Sequence, residues 1–152
     1  MLLSNKGILP ILWQLYPNHD LLLESYFAEA PKNPGVHFTN PTTNPGSPTP
    51  NPGDPQHSMK NYVRKPLMSR EGANITLIRD NATIASTPGP YNGRQIVQAL
   101  APEAIFPDKN GAPRHPILGL WMIDQDCSGL GIRESSGPIT DNLSSFIPHY
   151  FL

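Results

Sequence analysis

YVRKPLMSREGANITLI, residues Tyr62 to Ile78, decides how the rest of the chain is read. Tyr62 to Lys65 is a short run of strand formers, and Asn74 to Arg79 is another. Pro66 to Ala73 is then the loop that joins them, with Lys65 at its entrance, Arg70 near its tip and Gly72 free to adopt a positive φ. Cations and backbone amides gathered at the mouth of a glycine-bearing hairpin can hold a polyphosphate. They can equally be the solvated face of a hairpin whose charges keep it soluble, and the stretch alone leaves both readings standing.

Working outward, Ala82 to Ser86, Gln95 to Leu100, Ile117 to Ile123 and Leu130 to Arg133 repeat the pattern. Each is a short run rich in Val, Ile, Leu, Thr and aromatics, bounded by Gly, Pro, Asn or Asp. Asp80-Asn81 reads as a tight turn. Upstream, Ile8, Leu9, Leu12, Trp13 and Leu15 form a helical stripe that Ser4 or Asn5 can cap. Pro10 fits only in the first turn, so the helix starts near Gly7 or later. A PNHD turn follows, and LLLESYFAEA reads as a second short helix ending before Pro31. The fold class is α+β, a mainly antiparallel sheet with two N-terminal helices.

Pro31 to His57 interrupts this pattern. It holds eight of the nineteen prolines and three Asn-Pro-Gly repeats, with almost nothing to bury, and it reads as a disordered insertion. Its PxxP spacings, Pro45 to Pro48 and Pro52 to Pro55, offer a weak docking signal for an aromatic groove.

Composition bounds the function. The chain has 152 residues and a net charge of -1, with a pI near 6.5 and a mean hydropathy of -0.36. No global basic field draws in nucleic acid or an anionic membrane, so any anion site is local. No stretch approaches the roughly 20 apolar residues of a membrane span. Lys6, the apolar run Gly7 to Leu15 and Ala28-Glu29-Ala30 imitate a signal peptide, but Pro10 and the PNHD turn break the imitation. The expected location is cytoplasmic, and the sequons at Asn74, Asn81 and Asn142 read as ordinary loop and strand residues. Cys127, the only cysteine, reads as a small buried thiol. Trp13, Trp121, Phe146 and Tyr150 read as core. His115 and His149 have no carboxylate or cysteine at ligand spacing, so no metal site is assigned.

Five blocks, SNKGILPILWQLYPNH, YVRKPLMSREGANITLI, GPYNGRQIVQALAP, HPILGLWMIDQDCSGLGIRESSGPIT and SSFIPHYFL, occur in an order and wording that resemble the C-terminal part of the glutathionylspermidine synthase family. These are ATP-grasp ligases, and the resemblance covers everything outside Pro31 to His57. It implies a partial ATP-grasp domain over residues 1–152, with 31–57 inserted within it.

The resemblance also implies roles. Lys6 and Lys65 match lysines that hold ATP phosphates, a task suited to compact ammonium charges. Ser69, Arg70, Glu71 and Gly72 match a flap over the nucleotide, with Arg70 and Glu71 among the ATP contacts. Gln98, Ala99, Leu100 and Ala101 match the hinge strand whose backbone reads the adenine edge. Arg133 matches a catalytic arginine beside the transferring phosphoryl group and the substrate carboxylate. The implied reaction is activation of a carboxylate to an acyl phosphate, then attack by an amine to give an amide, with ADP and phosphate released. The acid is a peptide-like carboxylate and the amine a polyamine or another amino group.

The chain also departs from the family. The catalytic unit there is more than twice as long, and the Mg2+ ligands lie upstream of the SNK block, so the chain alone is expected to bind nucleotide weakly and not to turn over. A broken or split gene, or a fragmentary gene model, would give this combination, and an upstream chain could complete the domain. A second reading makes the chain a non-catalytic interaction module that uses the ATP-grasp remnant and the proline-rich loop.

Overall fold

The computed structural model describes residues 4–28 and 59–150. The proline-rich segment 31–57, its PxxP spacings and the residues Glu29 and Ala30 lie outside the described residues. No helix among the described residues is long and apolar enough to cross a membrane.

One short helix, α1 (Ile8–Leu15), opens the described chain. The Asn5 side chain turns it in, its Oδ1 accepting from the Gly7 amide at 2.9 Å. Pro10 falls in the first turn, where its missing N–H costs nothing, and it is buried.

Among the described residues the second expected helix is absent. His19 to Leu22 form a turn, with the Leu22 amide donating to the His19 carbonyl at 2.9 Å, and Ser25–Phe27 is a strand, β1. Local helix preference loses here to pairing. Ser25, Tyr26 and Phe27 align with Gln98, Val97 and Ile96, which satisfies their backbone groups and lays the aromatics against a sheet.

Four more strands complete the first sheet: β2 (Tyr62–Pro66), β3 (Thr76–Arg79), β4 (Ala82–Ser86) and β5 (Gln95–Ala99). The order is β1-β5-β2-β3-β4, antiparallel throughout. Asp80 and Asn81 have φ of 50° and 62° between the paired residues Arg79 and Ala82, the doubly positive geometry of a two-residue hairpin turn. Interior strand β5 carries two consecutive buried apolar residues, Ile96 at 0% and Val97 at 4% exposure. Consecutive buried residues on a strand mean that both faces of the sheet are covered at that point.

The second sheet runs β6-β7-β8-β9, with β6 at Phe106–Pro107, β7 at Pro113–Ile123, β8 at Asp126–Ser135 and β9 at Ser145–Ile147. Its centre is the long β7–β8 hairpin, closed by Asp124 and Gln125 at φ 47° and 71°. The Asp108 carboxylate organises the β6–β7 turn, accepting from the Asn110 and Ala112 amides at 2.8 and 2.9 Å and from Arg114 at 2.9 Å. These bonds hold its carboxyl below the ordinary carboxylate range, Arg114 contributing most.

The second sheet and the segment after it overturn several expectations of burial. Trp121 is 70%, Phe146 76% and Tyr150 81% exposed, and Cys127 is exposed near the start of β8. A long hairpin has two faces, and along Leu118 to Ile123 neither is covered among the described residues.

Candidate functional site

The face of the first sheet that carries Val63, Leu77 and Gln98 is the floor of a cavity of about 430 Å3. Alternation puts them there, since Val63 aligns with both Leu77 and Gln98. Val63, Ile75 and Leu77 pack as one apolar cluster, joined by Ala85, Leu100 and Ile139. The opposite wall comes from His115, Pro116 and Ile117 of β7 and from Pro138, Ile139 and Thr140 beyond β8. An apolar slot of this size with charged groups on its rim suits a ligand with one flat apolar part and one polar part.

Lys6, Lys65, Gln98, Ala99, Leu100 and Ala101 all line this cavity. Lys65 Nζ donates to Gln98 Oε1 at 2.8 Å, and Lys6 Nζ donates to the carbonyl and hydroxyl of Ser69 at 2.7 and 3.0 Å. Burial holds the Lys65 ammonium below the ordinary lysine range, and the nearby Lys6 charge lowers it further. Lys6 is lowered by burial alone. Two ammonium groups near one apolar floor, each disfavoured by its surroundings, form a site that an anion would relieve.

The hinge backbone is partly committed. The Ala99 amide donates to Glu24 O at 2.7 Å and the Leu100 amide to Asn61 O at 3.1 Å. The adenine-reading role assigned to this strand therefore cannot use those two donors.

The loop after β2 tightens into a turn at its tip. The Ala73 amide donates to Arg70 O at 3.0 Å, with Glu71 and Gly72 at φ 60° and 70° between them. Gly72 is required there twice over. Its φ favours glycine, and a Cβ would meet Thr140 O at 2.5 Å. The Gly72 carbonyl accepts from the Thr87 hydroxyl, so the loop is held from both sides. Arg70 and Glu71 are exposed and are not among the cavity lining.

Arg133, on β8, also stands outside that lining. Its guanidinium donates to Asp141 O at 2.5 Å and lies 5.5 Å from the centre of the Phe146 ring. Its buried Nε has no hydrogen-bond partner among the described residues.

Three features escape sequence reasoning. The Gln98 side chain, rather than only its backbone, bonds Lys65. Ser25 in turn accepts from Gln98 Nε2 at 3.0 Å. His115 Nδ1 lies 2.6 Å from Glu103 Oε1 on the cavity wall, a carboxylate twelve residues away that no ligand spacing signals. Among the described residues no group of three or more His, Cys, Asp or Glu side chains is placed to hold a metal.

The cavity of this two-sheet chain joins an apolar floor to two lysines, a place for a ligand with an apolar part and an anionic part. The family model described as glutathionylspermidine synthase preATP-grasp matches residues 1–152, and the chain belongs to the glutathionylspermidine synthase family. A Haemophilus influenzae protein named "Putative acid–amine ligase" is 33% identical over 159 residues, spanning 100% of this chain and 33% of that protein. Trypanothione synthetase of Crithidia fasciculata is 26% identical over 144 residues, spanning 94% of this chain and 18% of that enzyme. The chain thus spans a third or less of the curated relatives it matches.

Proposed function

We propose that this chain is the nucleotide-holding, C-terminal ATP-grasp part of an ATP-dependent ligase that joins a carboxylic acid to an amine. The observation that carries the reading is the convergence of Lys6, Lys65 and the Gln98–Ala101 strand end on one cavity floored by Val63, Ile75 and Leu77. The apolar floor suits a purine, and the two ammonium groups suit its phosphates. ATP, when bound, supplies the phosphoryl group that activates a carboxylate for attack by an amine.

The residues present fit ATP. Lys65 and Lys6 would hold phosphate oxygens, the Lys6 ammonium exchanging Ser69 for phosphate. Ala101, beyond the committed amides of Ala99 and Leu100, would face the adenine edge. The loop carrying Arg70 and Glu71 would cover the phosphates, and Arg133 would stand by the oxygens that gain charge during transfer. The reading takes from the family resemblance that the Mg2+ ligands lie upstream of the Lys6 block. The reading therefore assigns metal binding, and the walls that select a peptide-like acid and a polyamine or other amine, to polypeptide beyond this chain.

Calorimetry with ATP and magnesium tests the reading, on the chain alone and mixed with a polypeptide that supplies the remainder of the family's catalytic unit. Weak binding alone and amide-forming turnover only in the mixture are expected. Absence of ATP binding in both would overturn it.

A further inference from the structure

We infer that Ser25, acting through the side-chain amide of Gln98, is a positioning residue that aims the Lys65 ammonium along the cavity floor. This rests on the phosphate-binding reading of Lys65 but concerns a different residue and a separate measurement.

The sheet register brings the three together. Gln98 on β5 stands between Ser25 on β1 and Val63 on β2, and Lys65 lies two residues beyond Val63 on the same face. Ser25 is 1% and Gln98 6% exposed, so water does not serve their polar groups and protein partners must.

Hydrogen-bond capacity then sets a direction. The Ser25 hydroxyl has one proton, which it donates to Leu23 O at 2.8 Å. Toward Gln98 it can only accept, and it takes the Nε2 donor at 3.0 Å. With its nitrogen turned to Ser25, the Gln98 amide must present oxygen on its other side, where Lys65 Nζ donates at 2.8 Å. Reversed, the amide would set its own N–H groups against an ammonium and leave the Ser25 lone pairs unmatched. A backbone carbonyl at Leu23 therefore fixes, through two side chains, where a cation stands.

The consequence is preorganisation. One ammonium proton is committed to Gln98 and the others stay available to a ligand. The rotamer freedom of the lysine is largely spent before the ligand arrives. Ser25→Ala removes the acceptor while leaving the strand, the cavity floor and the hinge backbone in place. The amide is then free to turn, and Lys65 loses a directed acceptor for its charged form.

The test uses the full chain. The side-chain resonance of Lys65, assigned by its loss in Lys65→Arg, is titrated by NMR without nucleotide in wild type, Ser25→Ala, Gln98→Leu and the double variant. Losing an acceptor for the ammonium moves the midpoint to lower pH in both single variants, and Ser25→Ala adds nothing in the Gln98→Leu background, the coupling expected if Ser25 acts through Gln98. In parallel, ATP with magnesium binds Ser25→Ala about tenfold more weakly, the scale of one hydrogen bond to a charged group, while adenosine affinity is unchanged. An unmoved Lys65 titration in a folded Ser25→Ala chain overturns the proposal, as do additive effects in the double variant. If Ser25→Ala does not fold, Ser25→Cys, with its weak acceptor sulfur, is read the same way. Failure of the wild-type chain to bind ATP would sink the nucleotide reading, while the titrations still decide the role of Ser25.

Discussion

Lys65 is half-buried beside the cavity with its pKa depressed first by desolvation and then by the Lys6 charge, and the two states of the chain feel this differently. In the unfolded chain the amine titrates near 10.4, and in the folded chain it titrates lower. Between the two values the unfolded state holds a proton that the folded state has released, so stability rises with pH through that window. Below the folded value both states are charged and the burial penalty is constant. Urea unfolding across the alkaline range should therefore show stability increasing toward the ordinary lysine range, with a shallower increase in Lys65→Met. Phosphate binding has the opposite sign, because it needs the ammonium. ATP affinity should fall as pH rises through the same window, with net proton uptake on binding in calorimetry run in buffers of different ionisation enthalpy. The buried Nε of Arg133, which has no hydrogen-bond partner among the described residues, is a cost that a catalytic role would explain, and Arg133→Ala in a complete enzyme of this type should slow turnover by about two to three orders of magnitude. A variant with full ligase activity would remove Arg133 from the mechanism.

At the level of elements, the loop between β2 and β3 depends on its glycine. Gly72 has φ +70°, and an added Cβ would stand 2.5 Å from Thr140 O and 3.1 Å from Ile139 Cγ2. Gly72→Ala should cost about 1–2 kcal/mol from backbone strain alone, lower the melting temperature and speed proteolytic cutting between Pro66 and Asn74. If Gly72→Ala leaves both unchanged, the contact with Thr140 does not hold the loop. The hairpin itself was legible because turn signals bracket it, and Ala82–Ser86 matches its sequence reading residue for residue. Ser25–Phe27 was not, because LLLESYFAEA carries helix-forming Leu, Glu and Ala, and only the distant partners Ile96 to Gln98 make it a strand. Pro113 and Pro116 hid the first third of β7, since proline reads as a break within a strand. β9, three residues long, exists only as an addition to β8. The candidate site shows the same limit. Lys6 and Lys65 could be named from blocks of sequence, but their partners Ser69 and Gln98 lie 63 and 33 residues away, and no local pattern encodes such pairs.

For the whole molecule, the small core and the cavity floor are largely the same residues. Val63, Ile75 and Leu77 are three of the six buried hydrophobics among the described residues and also line the cavity. A ligand seated on them extends the core, so occupancy and folding are strongly linked. If ATP binds only the folded chain, 100 times its dissociation constant adds about 2.7 kcal/mol, which for a chain of this size raises the melting temperature by roughly 5–10 °C. The part of that shift due to the purine should appear with adenosine and resist salt, since apolar burial is not screened. The part due to phosphate should appear only with ATP, shrink at high ionic strength and vanish in a Lys6→Met, Lys65→Met double variant. Thermal melts with adenosine and ATP at low and high salt separate the two. Equal shifts from both ligands, insensitive to salt and to loss of the lysines, would show that the cavity holds a flat apolar group while the cations do no more than solvate its rim.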